Sequence, residues 1–305
     1  MESTQHVIQN GTCREQIQTV VNLAPLADQI LQNFRPRQVD FDDLEARDRD
    51  QIGINLRRCR LSLQLNQCNM ASLLGVSHTQ YRNFEEGRHH LRLQHTAHFM
   101  VNTGIPLHYL FLNSCYSPLF DHLELNTENL PLQSFVGRCN DTAFSGLVDL
   151  VAGHLDIALP VAPAINLHWP DAHLIARELG NYYGVIGEGL FQLRQIVNLS
   201  QDDLATLLGI TGATLAAYER NRITESRSYA AYMSMRLWAA TGINPLWITH
   251  GSAFYARRQL QHLRMNYLQS LLAGQPDSVV FQLQKALWRL PGQTFDNPII
   301  PAQTA

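Results

Sequence analysis

Leu199-Ser200-Gln201-Asp202-Asp203-Leu204-Ala205-Thr206-Leu207-Leu208-Gly209-Ile210-Thr211 is the stretch that decides the fold, together with Tyr218-Glu219-Arg220-Asn221-Arg222 beyond it. Ser200 suits a helix N-cap, because its hydroxyl can accept a backbone N–H of the first turn. Asp202 and Asp203 fall in that turn, where acids favour the helix dipole. Leu204, Ala205, Leu207 and Leu208 form a buried face, and Gly209 stops the helix. Ile210 then enters the core, and Thr211 caps a further helix that ends near Glu219. Upstream, Ile186, Leu190, Leu193 and Val197 recur at helical spacing, so Ile186 to Val197 reads as an amphipathic helix ended by Asn198-Leu199-Ser200. The pattern predicts three helices, the last two joined by a tight glycine turn.

The same plan occurs twice. Ile52 to Arg88 aligns with Ile186 to Arg222 without a gap, with twelve of 37 positions identical, far more than chance supplies. The shared residues are Ile52-Gly53, Leu56, Arg60, Leu65, Gln67, Ala71, Leu73-Leu74-Gly75, Glu85 and Arg88. In this first copy Asn66 is the cap, Gln67 to Leu74 the middle helix, Gly75 the turn and Ser77 to Glu85 the third helix. Ala71 and Ala205 fall where two crossing helices approach closely, which favours a small side chain. The likeness continues into Thr103-Gly104-Ile105-Pro106-Leu107 and Thr241-Gly242-Ile243-Asn244-Pro245-Leu246, after a short insertion near Ile223 to Arg227. This is a duplicated structural unit.

The pattern from Leu56 to Arg88, and still more that from Leu199 to Arg222, resembles the helix-turn-helix family of the phage lambda and Cro-type (XRE-like) repressors. The resemblance implies an all-α protein with two lambda-repressor-like domains and additional flanking helices. It implies a transcriptional regulator that binds double-stranded DNA as a homodimer. It also implies that an arginine of the first helix pairs with the glutamate closing the third, here Arg60 with Glu85 and Arg194 with Glu219. These pairs read as structural, because a buried arginine requires a charged partner.

Reading DNA requires the N-terminal side chains of the third helix at base edges, with helix ends and basic residues on phosphates. The resemblance places Gln67 and Gln201 at the backbone or an outer base. In the first copy the candidates are Ser77, His78, Thr79, Arg82, Asn83 and Arg88. Arg82 suits guanine and Asn83 adenine, each worth roughly 1–3 kcal/mol of discrimination. Between Ile52 and Arg92, six arginines stand against Glu85 and Glu86, a local balance of +4 that suits phosphates. In the second copy the candidates are Thr211, Thr214, Arg220 and Arg222. Its outward positions are Gly212, Ala213, Ala216 and Ala217, and Ile186 to Arg227 holds four arginines against five acids, a balance of −1. Two uses stay open for it: packing on thymine methyls with arginines on phosphates, or dimerisation. The alternative for the whole chain is an adaptor in which one or both motifs bind another regulatory protein.

Composition agrees with a folded globular protein, at 45% hydrophobic and 16% charged residues. The net charge of −3 gives no global signal for nucleic acid, so that reading rests on local charge. Five scattered cysteines without a C-x-x-C pair, a start from Met1 to Cys13 without a secretory pattern, and an apolar stretch from Leu147 to Ile165 broken by charges together suggest a cytoplasmic protein without a membrane span. His89, His90, His95 and His98 cluster, but no nearby cysteine or carboxylate completes a metal-ligand set, so they read as a solvated or phosphate-facing surface. No Walker loop, nucleophile elbow or H-E-x-x-H motif occurs, so neither an enzyme nor a cofactor is expected.

The chain divides into an N-terminal segment 1–36, a first helix-turn-helix domain 37–116, a connecting segment 117–165, a second domain 166–252 and a C-terminal extension 253–305. Val20 to Phe34 reads as an amphipathic helix that fits either a partner chain or its own domain. Phe144 to Leu159, Phe254 to Leu271 and Ser278 to Leu290 read as helices, the last two available for dimerisation, and Pro160 to Pro163 as a linker. No sensing domain is apparent.

Overall fold

The computed structural model describes residues 21–123, 125–157, 169–220 and 230–276, with positions 279 and 282. The fold is all-α. The first unit contains α2 (Asp42–Ser62), α3 (Gln67–Leu74), α4 (His78–Glu85) and α5 (Leu93–Thr103), preceded by α1 (Ala27–Asn33). The connecting helices are α6 (Leu130–Val136), α7 (Asp141–Leu155) and α8 (Ala172–Gly180). The second unit repeats the first as α9 (Tyr182–Ile196), α10 (Gln201–Leu207), α11 (Gly212–Glu219) and α12 (Met233–Thr241), and α13 (Ala253–Leu272) follows. Among the described residues no strand forms, and a single antiparallel bridge joins Arg92 to Ala230.

The caps expected at Asn66, Ser200 and Thr211 form, and Ser77, expected as the first residue of its helix, is the cap of α4 instead. Asn66 Oδ1 accepts the Asn69 N–H at 2.8 Å at the start of α3, and Ser77 Oγ accepts that of Gln80 at 3.2 Å at the start of α4. Ser200 Oγ accepts the Asp203 N–H at 3.1 Å, while the Asp203 carboxylate accepts the Ser200 N–H at 3.2 Å. That reciprocal box satisfies two orphan donors of α10. Thr211 Oγ1 accepts the Thr214 N–H at 3.1 Å at the start of α11. The turns match too: Gly75 and Gly209 have φ of 69° and 64°, which costs glycine little. The first helix of the second unit starts earlier than the spacing predicts, because Tyr182 and Val185 are also buried and Tyr182 packs edge-on against Phe254 at 5.6 Å.

The repeated Ile-Gly pair has a steric cause. A Cβ on Gly53 would stand 2.6 Å from the Glu85 carbonyl oxygen and 2.7 Å from that of Phe84. A Cβ on Gly187 would stand 2.2 Å from the Tyr218 carbonyl oxygen. In each unit, therefore, the first helix meets the backbone at the end of the third at a distance only glycine permits.

The two units share one continuous core that runs from Leu56 and Phe84 in the first to Leu190 and Leu215 in the second. The segments that flank the two units cross between them. Residues 21–41 pack on the second unit: Leu23 N–H donates to Gln192 Oε1 at 2.8 Å, and Gln192 Nε2 donates to the Val21 carbonyl at 2.9 Å. The N–H groups of Arg35 and Arg37 bond the carbonyls of Thr241 and Ala240 at 2.8 and 2.9 Å. The Arg236 guanidinium lies 4.7 Å above the Phe41 ring. From the other flank, Arg257 on α13 donates to the carbonyls of Val101 and Gly137, each at 3.1 Å, reaching the first unit.

Of the helix expected at 20–34, Ala24–Leu26 form a 3-10 turn and Ala27–Asn33 an α-helix, position 20 lies outside the described residues, and the segment covers the second repeat rather than the unit it precedes. The apolar face of α13, with Phe254, Leu260, Met265, Leu268 and Leu271, is buried within the chain. The helix expected at 144–159 forms as Asp141–Leu155, capped by Asn140, with positions 158 and 159 outside the described residues. The expected linker at 160–163 and nearly all of the helix expected at 278–290 also lie outside them. No described helix is long and apolar enough to cross a membrane.

Gly187→Ala is expected to lower stability in urea unfolding by roughly 1–3 kcal/mol, because backbone must shift to admit the methyl group. Gly153→Ala, within α7 and with no atom inside 4 Å of the added Cβ, is expected to be neutral or to stabilise by up to about 1 kcal/mol. Equal effects from the two substitutions would contradict the close approach.

Candidate nucleic-acid interface

Each unit is braced by a buried ion pair. Arg60 Nε donates to Glu85 Oε1 at 2.6 Å and its Nη2 to Oε2 at 3.2 Å, while its Nη1 reaches the Leu65 carbonyl at 2.8 Å. Arg194 repeats this with Glu219 at 2.7 and 3.0 Å and with the Leu199 carbonyl at 3.2 Å. Both glutamate side chains are only 4% exposed. Both expected structural pairs are therefore present, and each fork satisfies an orphan carbonyl as well.

The two glutamines extend these networks inward. Gln67 Nε2 donates to Glu85 Oε2 at 2.8 Å, and Gln201 Nε2 donates to Glu219 Oε2 at 2.6 Å. Gln67 Oε1 also lies 3.2 Å from His78 Nε2, which joins the buried pair to the surface of α4. Tyr81, not among the sequence candidates, donates its hydroxyl to Glu85 Oε1 at 2.6 Å. Burial pushes the Glu85 carboxyl up, but hydrogen bonds from Arg60, Tyr81 and Gln67 outweigh it and hold the carboxyl below its ordinary range.

Tyr81 and Phe84, 0% and 4% exposed, fasten α4 to the core and turn its other side outward. Ser77, His78, Thr79 and Arg82 are exposed, and Asn83 is half-buried beside them. Arg88 is exposed past the helix end, where its N–H donates to the Asn83 carbonyl at 2.9 Å. Glu86 lies between the two arginines, 3.8 Å from Arg82 and 3.0 Å from Arg88. Such exposed pairs contribute little, about 0–1 kcal/mol, so a stronger anion can displace the carboxylate.

The corresponding surface of α11 is different. Ala213 is exposed, and Gly212, Ala216 and Ala217 are half-buried. The Thr211 and Thr214 hydroxyls bond each other at 2.8 Å. The Asp202 carboxylate covers the helix start so closely that a Cβ on Gly212 would stand 1.9 Å from its Oδ1. Arg220 is exposed, and Arg222 lies outside the described residues. The two copies thus present surfaces of unlike chemistry, one basic and hydrogen-bonding, the other small with a carboxylate at its leading edge.

The histidine cluster requires a correction. His98 is 3% exposed, and burial lowers its pKa to about 4. His95 packs against Phe84 with ring centroids 5.5 Å apart, and burial with the charge of Arg92 lowers its pKa to about 4 as well. His90 meets Tyr232 edge-on at 5.3 Å, so of the four only His89 is exposed. The face shared by His95 and His98 is the inner face of α5, where the core it meets is supplied by other helices.

No family model, curated protein or solved structure matches the chain.

Because the folded Glu85 pKa is depressed, the pair stabilises the fold fully above the ordinary carboxylate value of about 4.3 and loses that contribution as pH falls from there through the lower folded pKa. Glu85→Gln leaves Arg60 buried without its charge partner and is expected to cost roughly 3–5 kcal/mol near pH 7. Chemical unfolding followed against pH should show the gap between wild type and E85Q narrowing below about pH 4.3. A gap independent of pH would contradict the ionised pair.

Proposed function

We propose that the chain is a sequence-specific DNA-binding transcriptional regulator whose first unit reads bases. The observation that carries this reading is the outward side of α4. His78, Thr79, Arg82 and Asn83 stand together on a helix locked from behind by Tyr81, Phe84 and the Arg60–Glu85 pair. Held in place, an arginine and an asparagine can make the bidentate contacts that tell guanine and adenine from other bases. Ser77 and the exposed Arg88 flank them, suited to phosphates. We place the protein in the cytoplasm, without catalytic activity, acting as a homodimer on half-sites spaced by about 34 Å or a multiple of it.

The second unit is assigned a subordinate part in this reading. Its Asp202 carboxylate at the start of α11 would repel phosphate, and its alanines cannot make bidentate contacts. The same observation favours a second reading in which α11 binds a regulatory protein while α4 binds DNA.

Selection from a randomised duplex pool is expected to enrich a paired motif with the wild-type chain. Combined Arg82→Ala and Asn83→Ala should lose that preference while keeping weak, salt-sensitive binding. No enrichment by the wild type, or enrichment unchanged in the double variant, would overturn base reading by α4. A separate expectation concerns Glu86: E86Q releases Arg82 and Arg88 and should tighten binding to unselected duplex several-fold at low salt, measured by fluorescence anisotropy. Unchanged or weaker binding would place these arginines away from the phosphates.

A further inference from the structure

A cavity of about 560 Å³ lies between the two units, within the size range of small-molecule sites. Its walls come from both repeats and from α13. Met100 and Phe120 face it from the first repeat and the segment that follows, and Met233 and Trp238 from α12. Against this apolar lining stands one arginine. Arg258 is the only arginine, lysine or acid among the described lining residues.

Arg258, half-buried, differs from the arginines that brace the core in what it meets. Arg60 and Arg194 are paired with glutamates, and Arg264 with Asp141 and the Cys139 carbonyl. Arg236 donates to the carbonyls of Leu208 and Gly209, and Arg257 to those of Val101 and Gly137. Arg258 donates only to the neutral amide oxygen of Gln261 among the described residues, and none of their carboxylates pairs with it. Burial, reinforced by the neighbouring charge of Arg257, lowers its pKa to about 10, so it is still a cation near pH 7. His108, His122 and His262 also line the cavity, with the amides of Asn244 and Gln259. Burial holds the pKa of His108 at about 3, so near pH 7 its imidazole is neutral and can offer a hydrogen bond without adding charge. The described histidines of the lining do not come together as a metal-ligand set.

A half-buried cation without a carboxylate partner, in a chamber whose charged lining it alone supplies, selects for a ligand that brings the missing anion and lays carbon against the apolar walls. We propose that this cavity binds a small apolar carboxylic acid, its carboxylate paired with Arg258 and its body lying against Met100, Phe120, Met233 and Trp238. A bidentate guanidinium–carboxylate pair satisfies both groups, and an alcohol of the same shape cannot replace it. Since both repeats wall the cavity, the ligand stabilises one arrangement of the two units. Resting on the DNA-reading proposal, it is an effector.

The test is calorimetric titration of the full chain with decanoate and with 2-naphthoate, each compared with its alcohol, without DNA, so that its outcome is separate from that of DNA reading. At least one acid is expected to bind saturably at one site, about tenfold or more tighter than its alcohol. Arg258→Gln should remove that preference and leave alcohol binding in place. Leu246→Trp, which puts bulk into the lining while leaving Arg258 untouched, should weaken the acid by about tenfold or more and carries the test if R258Q does not fold. Saturable binding of neither acid, equal binding of acid and alcohol, a preference retained in R258Q, or unchanged acid binding in L246W would each overturn the proposal.

Discussion

Glu85 is a carboxylate with almost no access to water, and the first unit is arranged around keeping it ionised. Arg60 approaches it from α2, Gln67 from α3 and Tyr81 from its own helix, so one buried acid receives donors from three helices. Removing any one donor leaves the others facing an undersatisfied charge, which is why such networks behave as wholes. Glu219 plays the same part in the second unit with Arg194 and Gln201, where Leu215 stands in place of the tyrosine. Apolar burial holds the helices together non-directionally, and the carboxylate fixes which faces meet. That constraint sets the rotation of α4 and α11 and therefore which side chains look outward.

Given the same scaffold twice, the difference between the units lies in surface chemistry. Substitutions that leave the buried network intact have exchanged His78, Thr79, Arg82 and Asn83 for Gly212, Ala213, Ala216 and Ala217, and Cys68 for Asp202. Duplication followed by such exchange retains a rigid frame and frees one face for another use. The crossed flanking segments then bind the two frames together, because residues 21–41 cover the second unit and α13 reaches the first. Independent rotation of the units would break both sets of contacts, so the pair moves as one body or rearranges at their shared boundary. The cavity lies at that boundary.

Much of this was legible in the amino-acid order, and the division follows the range of each interaction. Caps at Asn66, Ser200 and Thr211 act within one helical turn, and the glycine turns are local, so the motif could be read directly, whereas Ser77 caps α4 rather than opening it and α9 begins at Tyr182. The Arg60–Glu85 and Arg194–Glu219 pairs span distant positions, yet the duplication displays them twice in register. Gly53 and Gly187 were visible as repeated residues, but their cause, a backbone contact with α4 and α11, exists only in three dimensions. The inward turn of Gln67 and Gln201 toward the buried acids was likewise hidden, as was the burial of His95 and His98. Least legible were the crossing of the flanking segments and the chamber around Arg258. Both depend on contacts between segments far apart in the chain that no repeat signals, and a cavity formed at the boundary of two units has no sequence block of its own.

Base recognition is proposed for α4 and not for α11. Amide hydrogen exchange of the full chain, followed by residue with and without a saturating short duplex at low salt, tests it most directly. Slowed exchange is expected over Ser77 to Asn83, with Gly212 to Ala217 little changed. Protection of Gly212 to Ala217 alone, or of neither helix, would contradict it.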